Sequence, residues 1–140
     1  MIRNFKIDEL DSVMKIWLES NIGSHDFISE DYWKGNYEPV KNLLPDATIF
    51  VYDNDDSIEG FIGLMGNFIA GIFVSLNNQS KGIGKALLDY VKESYSELSL
   101  HVYKKNPRAV NFYKREGFKV LKEQFEENTG EIELIMNWTR

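Results

Sequence analysis

The chain has 140 residues, with 16 basic and 22 acidic side chains and a net charge of −6. That length fits one domain over residues 1–140, able to bury a core without disulfides or metals. The acidic balance argues against nucleic-acid binding and is permissive for a cationic small molecule or peptide. The chain has no cysteine, which excludes a disulfide framework, a thiolate metal site and a cysteine nucleophile. With only two histidines, no metal site is expected. The opening MIRNFKIDELDS turns acidic at once, unlike a signal peptide. No apolar run approaches the roughly 18 residues of a membrane span. A cytoplasmic protein is therefore expected, as a monomer or homodimer.

Ile2–Lys6 reads as a weak first strand. Leu10, Val13, Met14, Trp17 and Leu18 form one apolar stripe at helical spacing, predicting a helix over 8–20 with Asp8 as its N-cap. The loop NIGSHDF follows. A second helix is predicted from Ser29, with Glu30 and Asp31 in its first turn, to a stop near Leu44-Pro45. Residues 47–54 and 58–67 read as a hairpin across the turn-forming DNDDS. FIAGIFVS (68–75) is nearly all apolar, which predicts a strand covered on both faces. Residues 82–95 read as a helix and 98–103 as a short strand. Over 106–118, Asn106 can cap a helix, Pro107 suits its first turn and Gly117 can end it. The tail gives two strands joined at Asn128-Thr129-Gly130. The expected fold class is α/β, with a mixed, mostly antiparallel sheet and about four helices.

The stretch NNQSKGIGKALLDYV (77–91) places two glycines between a strand and a helix start. Free N–H groups and the helix dipole make such a place an anion site. A nucleoside-triphosphate P-loop fails twice, at Gln79 and Ala86. The dinucleotide fingerprint fails at Leu87. The pattern Q/R-x-x-G-x-G/A is met in full by Gln79, Gly82 and Gly84. An ordinary strand-to-helix connection is the plain alternative.

With that pattern come Ile72-Phe73-Val74 before the loop, LSLHV and Asn106 after it, then Phe112-Tyr113 and Gly117-Phe118. Together these resemble the GCN5-related N-acetyltransferases (GNAT) over nearly the whole chain. SHDF (24–27) further resembles the small bacterial YjaB-like subgroup. The resemblance implies the GNAT fold and an acetyl-CoA-dependent N-acetyltransferase, working by direct attack of a primary amine in a ternary complex. A non-catalytic acyl-CoA sensor is the alternative. Acetyl-CoA is the implied cosubstrate. Its implied contacts are Phe73, Val74, Gln79, Ser80, Lys81, Gly82, Ile83, Gly84, Lys85, Asn106 and Tyr113. Arg108, Lys104 and Lys105 are candidates for a further phosphate contact or for plain surface charge.

Tyr113 is the implied general acid at the coenzyme A sulfur; a half-buried aromatic with a wet hydroxyl is the alternative. His101 is the candidate base: the resemblance puts it where some family members carry a glutamate that acts as base, and alternation in LSLHVY sets it with Ser99 and Tyr103 opposite the apolar face. A structural histidine, with a water chain as base, is the alternative. His25, Asp26, Phe27 and Trp33 are the candidate acceptor-pocket residues. The acceptor stays open among a peptide amine, a small amine and an antibiotic. The chain departs from the family at Leu76, where proline is common, and at Gln79-Ser80, where Arg-Gly is common. It also lacks the small acidic residue some relatives carry near Ala70, which bears on the base rather than the fold.

Overall fold

The computed structural model describes residues 1–140. Seven strands form one sheet: β1 (Ile2–Asn4), β2 (Thr48–Asp53), β3 (Ile58–Met65), β4 (Phe68–Val74), β5 (Glu97–Tyr103), β6 (Lys119–Glu126) and β7 (Glu131–Thr139). Their spatial order is β1-β2-β3-β4-β5-β7-β6. Every neighbouring pair is antiparallel except β4 and β5. Five helices cover the faces: α1 (Leu10–Ser24), α2 (Glu30–Gly35), α3 (Tyr37–Leu43), α4 (Ile83–Lys92) and α5 (Pro107–Arg115).

Successive residues of a strand point to opposite faces, so the sheet separates two cores. Phe61 packs with Val13, Met14, Trp17, Ile49 and Val51 beneath α1 to α3. Its neighbour Ile62 packs with Leu87, Leu88, Leu98, Leu100 and Met136 beneath α4 and α5. Leu87 and Leu88 are fully buried; truncating either to alanine costs about 2–5 kcal/mol in a core of this kind. Gly60 lets the layers close. A Cβ there would lie 2.9 Å from the Phe73 carbonyl oxygen and 3.1 Å from an Ile83 methyl.

Several elements depart from the sequence expectation. Asp8 is not a helix cap: Ile7–Glu9 is a separate 3₁₀ turn, and the Glu9 carboxylate accepts the Lys6 N–H at 2.9 Å. Helix α1 runs on to Ser24, so His25 is its C-cap residue rather than a loop residue. The single helix expected over 30–44 is two, α2 and α3, meeting at Asn36. The helix expected to reach 95 stops at Lys92.

The largest departure is β4. Only Ile69 is fully buried there; Ala70 is exposed and residues 71–74 are half-buried. It pairs with β5 at two positions only, Phe68 with Ser99 and Ile69 with Leu100. Gly63 then pairs with Gly71 while Leu64 pairs with Ile69, which leaves Ala70 as an extra residue, a β-bulge. A bulge bends its strand. Beyond it β4 and β5 part, and residues 70–74 have no strand partner on that side.

Candidate active site

A cleft of about 630 Å³ opens where β4 and β5 part. That is within the usual size of a small-molecule site. It is walled by β4, the loop after it, the starts of α4 and α5, the end of α1, and parts of α2, β5 and β7.

At one end the loop 75–82 is tied tightly. The Asn78 N–H donates to the Ser75 carbonyl at 2.9 Å, and the Gln79 amide donates to the Val74 carbonyl at 3.2 Å. Gln79 therefore braces the loop with its side chain. Ser80 and Gly82 both take left-handed backbone, at φ 66° and 83°. Glycine adopts that conformation freely and serine does not. The Arg108 guanidinium donates to the Ser80 hydroxyl, which holds the strained residue and draws a cation over the loop. The first hydrogen bond of α4 runs from the Ala86 N–H to the Gly82 carbonyl, at 3.0 Å. The N–H groups of Gly82, Ile83, Gly84 and Lys85 thus lack a helical acceptor. With the helix dipole they form an anion cradle. The Lys85 ammonium is engaged elsewhere, with Asp89 at 3.0 Å and Glu116 at 3.1 Å. Lys81 lies outside the cleft lining. Lys104 and Lys105 pair with Glu123 and Glu131 at 2.7 and 3.1 Å.

Helix α5 brings Asn106 and Tyr113 to the cleft. The Asn106 side chain caps the helix by accepting the Ala109 N–H at 3.2 Å. Gly117, at φ 94°, ends it in a Schellman turn, with the Phe118 N–H on the Tyr113 carbonyl at 2.9 Å. Tyr113 is buried, and burial pushes its hydroxyl well above the ordinary tyrosine range. It stays protonated throughout the neutral range.

The other end of the cleft is aromatic. His25 stacks on Trp33 at 5.2 Å, and Tyr103 meets it edge-on at 5.2 Å. Phe27 packs behind, edge-on to His25 at 5.7 Å, while Asp26 is exposed; neither lines the cleft. His25 Nδ1 lies 3.0 Å from the Asn21 carbonyl, so it carries the proton, and Nε2 faces the Asn106 amide at 3.4 Å. His101 also lines the cleft, 3.4 Å through Nδ1 from Glu133.

Burial lowers the His25 pKa below its ordinary 6.5, against a smaller opposing effect of the Asn21 bond. An unfolded chain binds that proton more readily, so His25 contributes stability that is complete above about pH 6.5 and lost as pH falls toward the lowered folded value. Urea melts at about pH 7.5 and 5.5 should show a smaller loss for His25→Gln than for the wild type. Equal losses would mean that His25 is not held neutral.

The profile of the acetyltransferase (GNAT) domain matches residues 23–133. The chain belongs to this family. It is an enzyme of acetyl transfer to an amine, and the sensor alternative is not what its relatives' names describe. It is 36% identical over 140 residues to the peptidyl-lysine N-acetyltransferase YiaC of Escherichia coli K12, covering 99% of this chain and 96% of that protein. It is 32% identical over 120 residues to YjaB of the same organism, also named a peptidyl-lysine N-acetyltransferase, covering 85% and 82%. The solution structure of apo YjaB from Escherichia coli superposes at a TM-score of 0.87 with 28% identity, over 99% and 96% of the two chains. The PaiA N-acetyltransferase of Thermoplasma acidophilum, in complex with coenzyme A, superposes at 0.85 with 22% identity over 100% and 98%. At that identity the likeness speaks to the fold alone.

In this GNAT enzyme, Phe73, Val74, Gln79, Ser80, Gly82, Ile83, Gly84, Lys85, His101, Asn106, Tyr113, His25 and Trp33 share one cleft. Tyr103 and Glu133 escaped the sequence reading. Tyr103 stood on the face already assigned to His101. Glu133 alternates with Glu131 along the last strand, but only its pairing with Tyr103 shows that it reaches the cleft. The residues fit coenzyme A: an anion cradle suits a pyrophosphate, and the parted edge of β4 offers backbone to an extended chain.

Proposed function

We propose that this enzyme uses acetyl-CoA to acetylate the side-chain amine of a lysine in a protein or peptide, as a single catalytic domain. The polarity of the cleft carries the reading: an anion cradle lies at one end and a carboxylate among aromatic rings at the other, with the Tyr113 hydroxyl at its wall. The names of the two Escherichia coli relatives support the acceptor.

Bound acetyl-CoA supplies an activated acetyl thioester. The free N–H groups at the start of α4 and the Arg108 guanidinium hold its phosphates. The unpaired edge of β4 gives backbone donors for the pantetheine arm and the acetyl carbonyl. Asn106 braces the start of α5. Tyr113 keeps its proton on the hydroxyl oxygen, available to a departing thiolate. His101 accepts the proton that the incoming ammonium must lose, and Glu133 lies 3.4 Å from its Nδ1.

The test is a thermal shift with acetyl-CoA, coenzyme A, ATP and NAD, followed by mass spectrometry of lysine peptides incubated with acetyl-CoA. A ligand at about 100 times its Kd adds roughly 2.7 kcal/mol. Stabilisation by the coenzyme A species alone and an acetyl gain on lysine are expected. A shift with ATP or NAD only, or unmodified peptides, would overturn the reading.

A further inference from the structure

The cleft has two carboxylates on its walls, Glu116 and Glu133. Glu116 is matched by Lys85 at 3.1 Å. Glu133 has no lysine or arginine partner. Its Oε1 accepts the Gln124 amide at 2.6 Å and lies 3.4 Å from His101 Nδ1. Its Oε2 has no partner in the protein, although the side chain is only 14% exposed. That oxygen is not sealed in the protein, and since Glu133 lines the cleft a ligand there can reach it. Its surroundings match one kind of ligand. Tyr103 pairs with Glu133 across β5 and β7, and with Trp33 and His25 it lines an aromatic wall. Such a wall takes an alkyl stem along its rings and a cation at its end. The neighbouring hydroxyls do not neutralise the carboxylate. Burial, with the charges of Glu126 and Glu133 adding to it, pushes Tyr103 up to about 12.

We propose that Glu133 is the specificity-determining residue for a cationic acceptor: its free oxygen holds the lysine ε-ammonium while the stem lies against Tyr103, Trp33 and His25. This deepens the acetyltransferase reading and rests on it. The ammonium then sits beside His101, also within reach of Glu133. One N–H bond of the ammonium breaks and one forms on the imidazole, which leaves a neutral amine with a lone pair and an imidazolium next to a carboxylate.

The test uses the full chain saturated with coenzyme A and labelled dead-end peptides that carry trimethyl-lysine or norleucine at the acceptor position, with binding read by fluorescence anisotropy. The wild type should prefer the cationic peptide by at least about tenfold, and Glu133→Gln should bind the two alike. In steady state, Glu133→Gln should raise the KM for a lysine peptide by about tenfold or more and keep the thermal shift with acetyl-CoA. Glu123→Gln, outside the cleft, should change neither. A wild type that does not distinguish the two peptides, or a folded Glu133→Gln that still does, overturns the role of Glu133. A wild type that transfers no acetyl group overturns the parent reading instead.

Discussion

Gly84→Asp is expected to abolish acetyl-CoA binding while the protein stays folded. Gly84 is the second residue of α4, among the N–H groups that lack a helical acceptor. A Cβ there meets an Ile72 methyl at 3.7 Å and the tip of Phe112 at 3.9 Å, both ordinary contacts. A side chain can therefore be housed. A carboxylate in the first turn also suits the helix dipole, so the fold itself should not suffer. What suffers is the ligand. The new carboxylate takes up the positive end of the helix and repels the phosphates that the cradle would hold. The control is Gly84→Ala, which adds the Cβ without charge and should raise stability by about 0.5–1 kcal/mol through helix propensity. Calorimetric titration should show acetyl-CoA affinity retained to within a few fold in Gly84→Ala and lost by at least about a hundredfold in Gly84→Asp. Wild-type affinity in the aspartate variant would remove the cradle assignment.

The parts of this fold that were legible in the sequence are those with local causes. Asn106, Pro107 and Gly117 mark the ends of α5 within one dozen residues, and each does there what its chemistry dictates. The loop of Gln79, Gly82 and Gly84 was legible for the same reason. The break between α2 and α3 had a local cause too, but the single helix expected over 30–44 missed it. A proline inside a continuous helix would clash with the carbonyl four residues earlier. The chain breaks at Asn36 and restarts, so that Pro39 falls in the first turn of α3. Helix α1 overran its expected end because nothing in Asn21–Ser24 stops a helix. Gly23 instead marks close approach, since a Cβ there would lie 3.0 Å from Leu76.

The rest depended on contacts far apart in sequence. FIAGIFVS has the composition of a strand buried on both faces, yet its apolar side chains line a cleft. Composition reports that a surface is apolar and not whether a ligand or a helix covers it. The aromatic end of the site joins residues from α1, α2, β5 and β7. No spacing within one segment could reveal that Glu133 stands opposite Tyr103, because that follows from the register of β5 on β7. Ser80 was visible as a departure from glycine, but its left-handed backbone and its tie to Arg108 were not.

Tyr113→Phe should lower kcat by about 10²–10⁴-fold, the usual range for a positioned acid, and leave acetyl-CoA affinity near normal. The substitution removes one oxygen from a buried ring that packs edge-on against Phe112 and Phe118 at 5.2 and 5.5 Å. Those contacts survive in phenylalanine. The hydroxyl has no protein partner to strand, so the melting temperature should hold. An effect on turnover would then be chemical rather than structural. The pH dependence adds a second constraint. Because burial raises the Tyr113 pKa above its ordinary 10.0, its hydroxyl keeps its proton as pH climbs through the alkaline range. Activity should therefore show no loss from tyrosine ionisation below about pH 10, and any rise near neutrality belongs to the group that deprotonates the amine. In Tyr113→Phe that rise should persist at the lower rate, because the base is untouched. Equal turnover in the two proteins would remove Tyr113 from the chemistry and leave the thiolate to depart unprotonated. A fallen kcat accompanied by lost acetyl-CoA affinity would place the hydroxyl in binding instead.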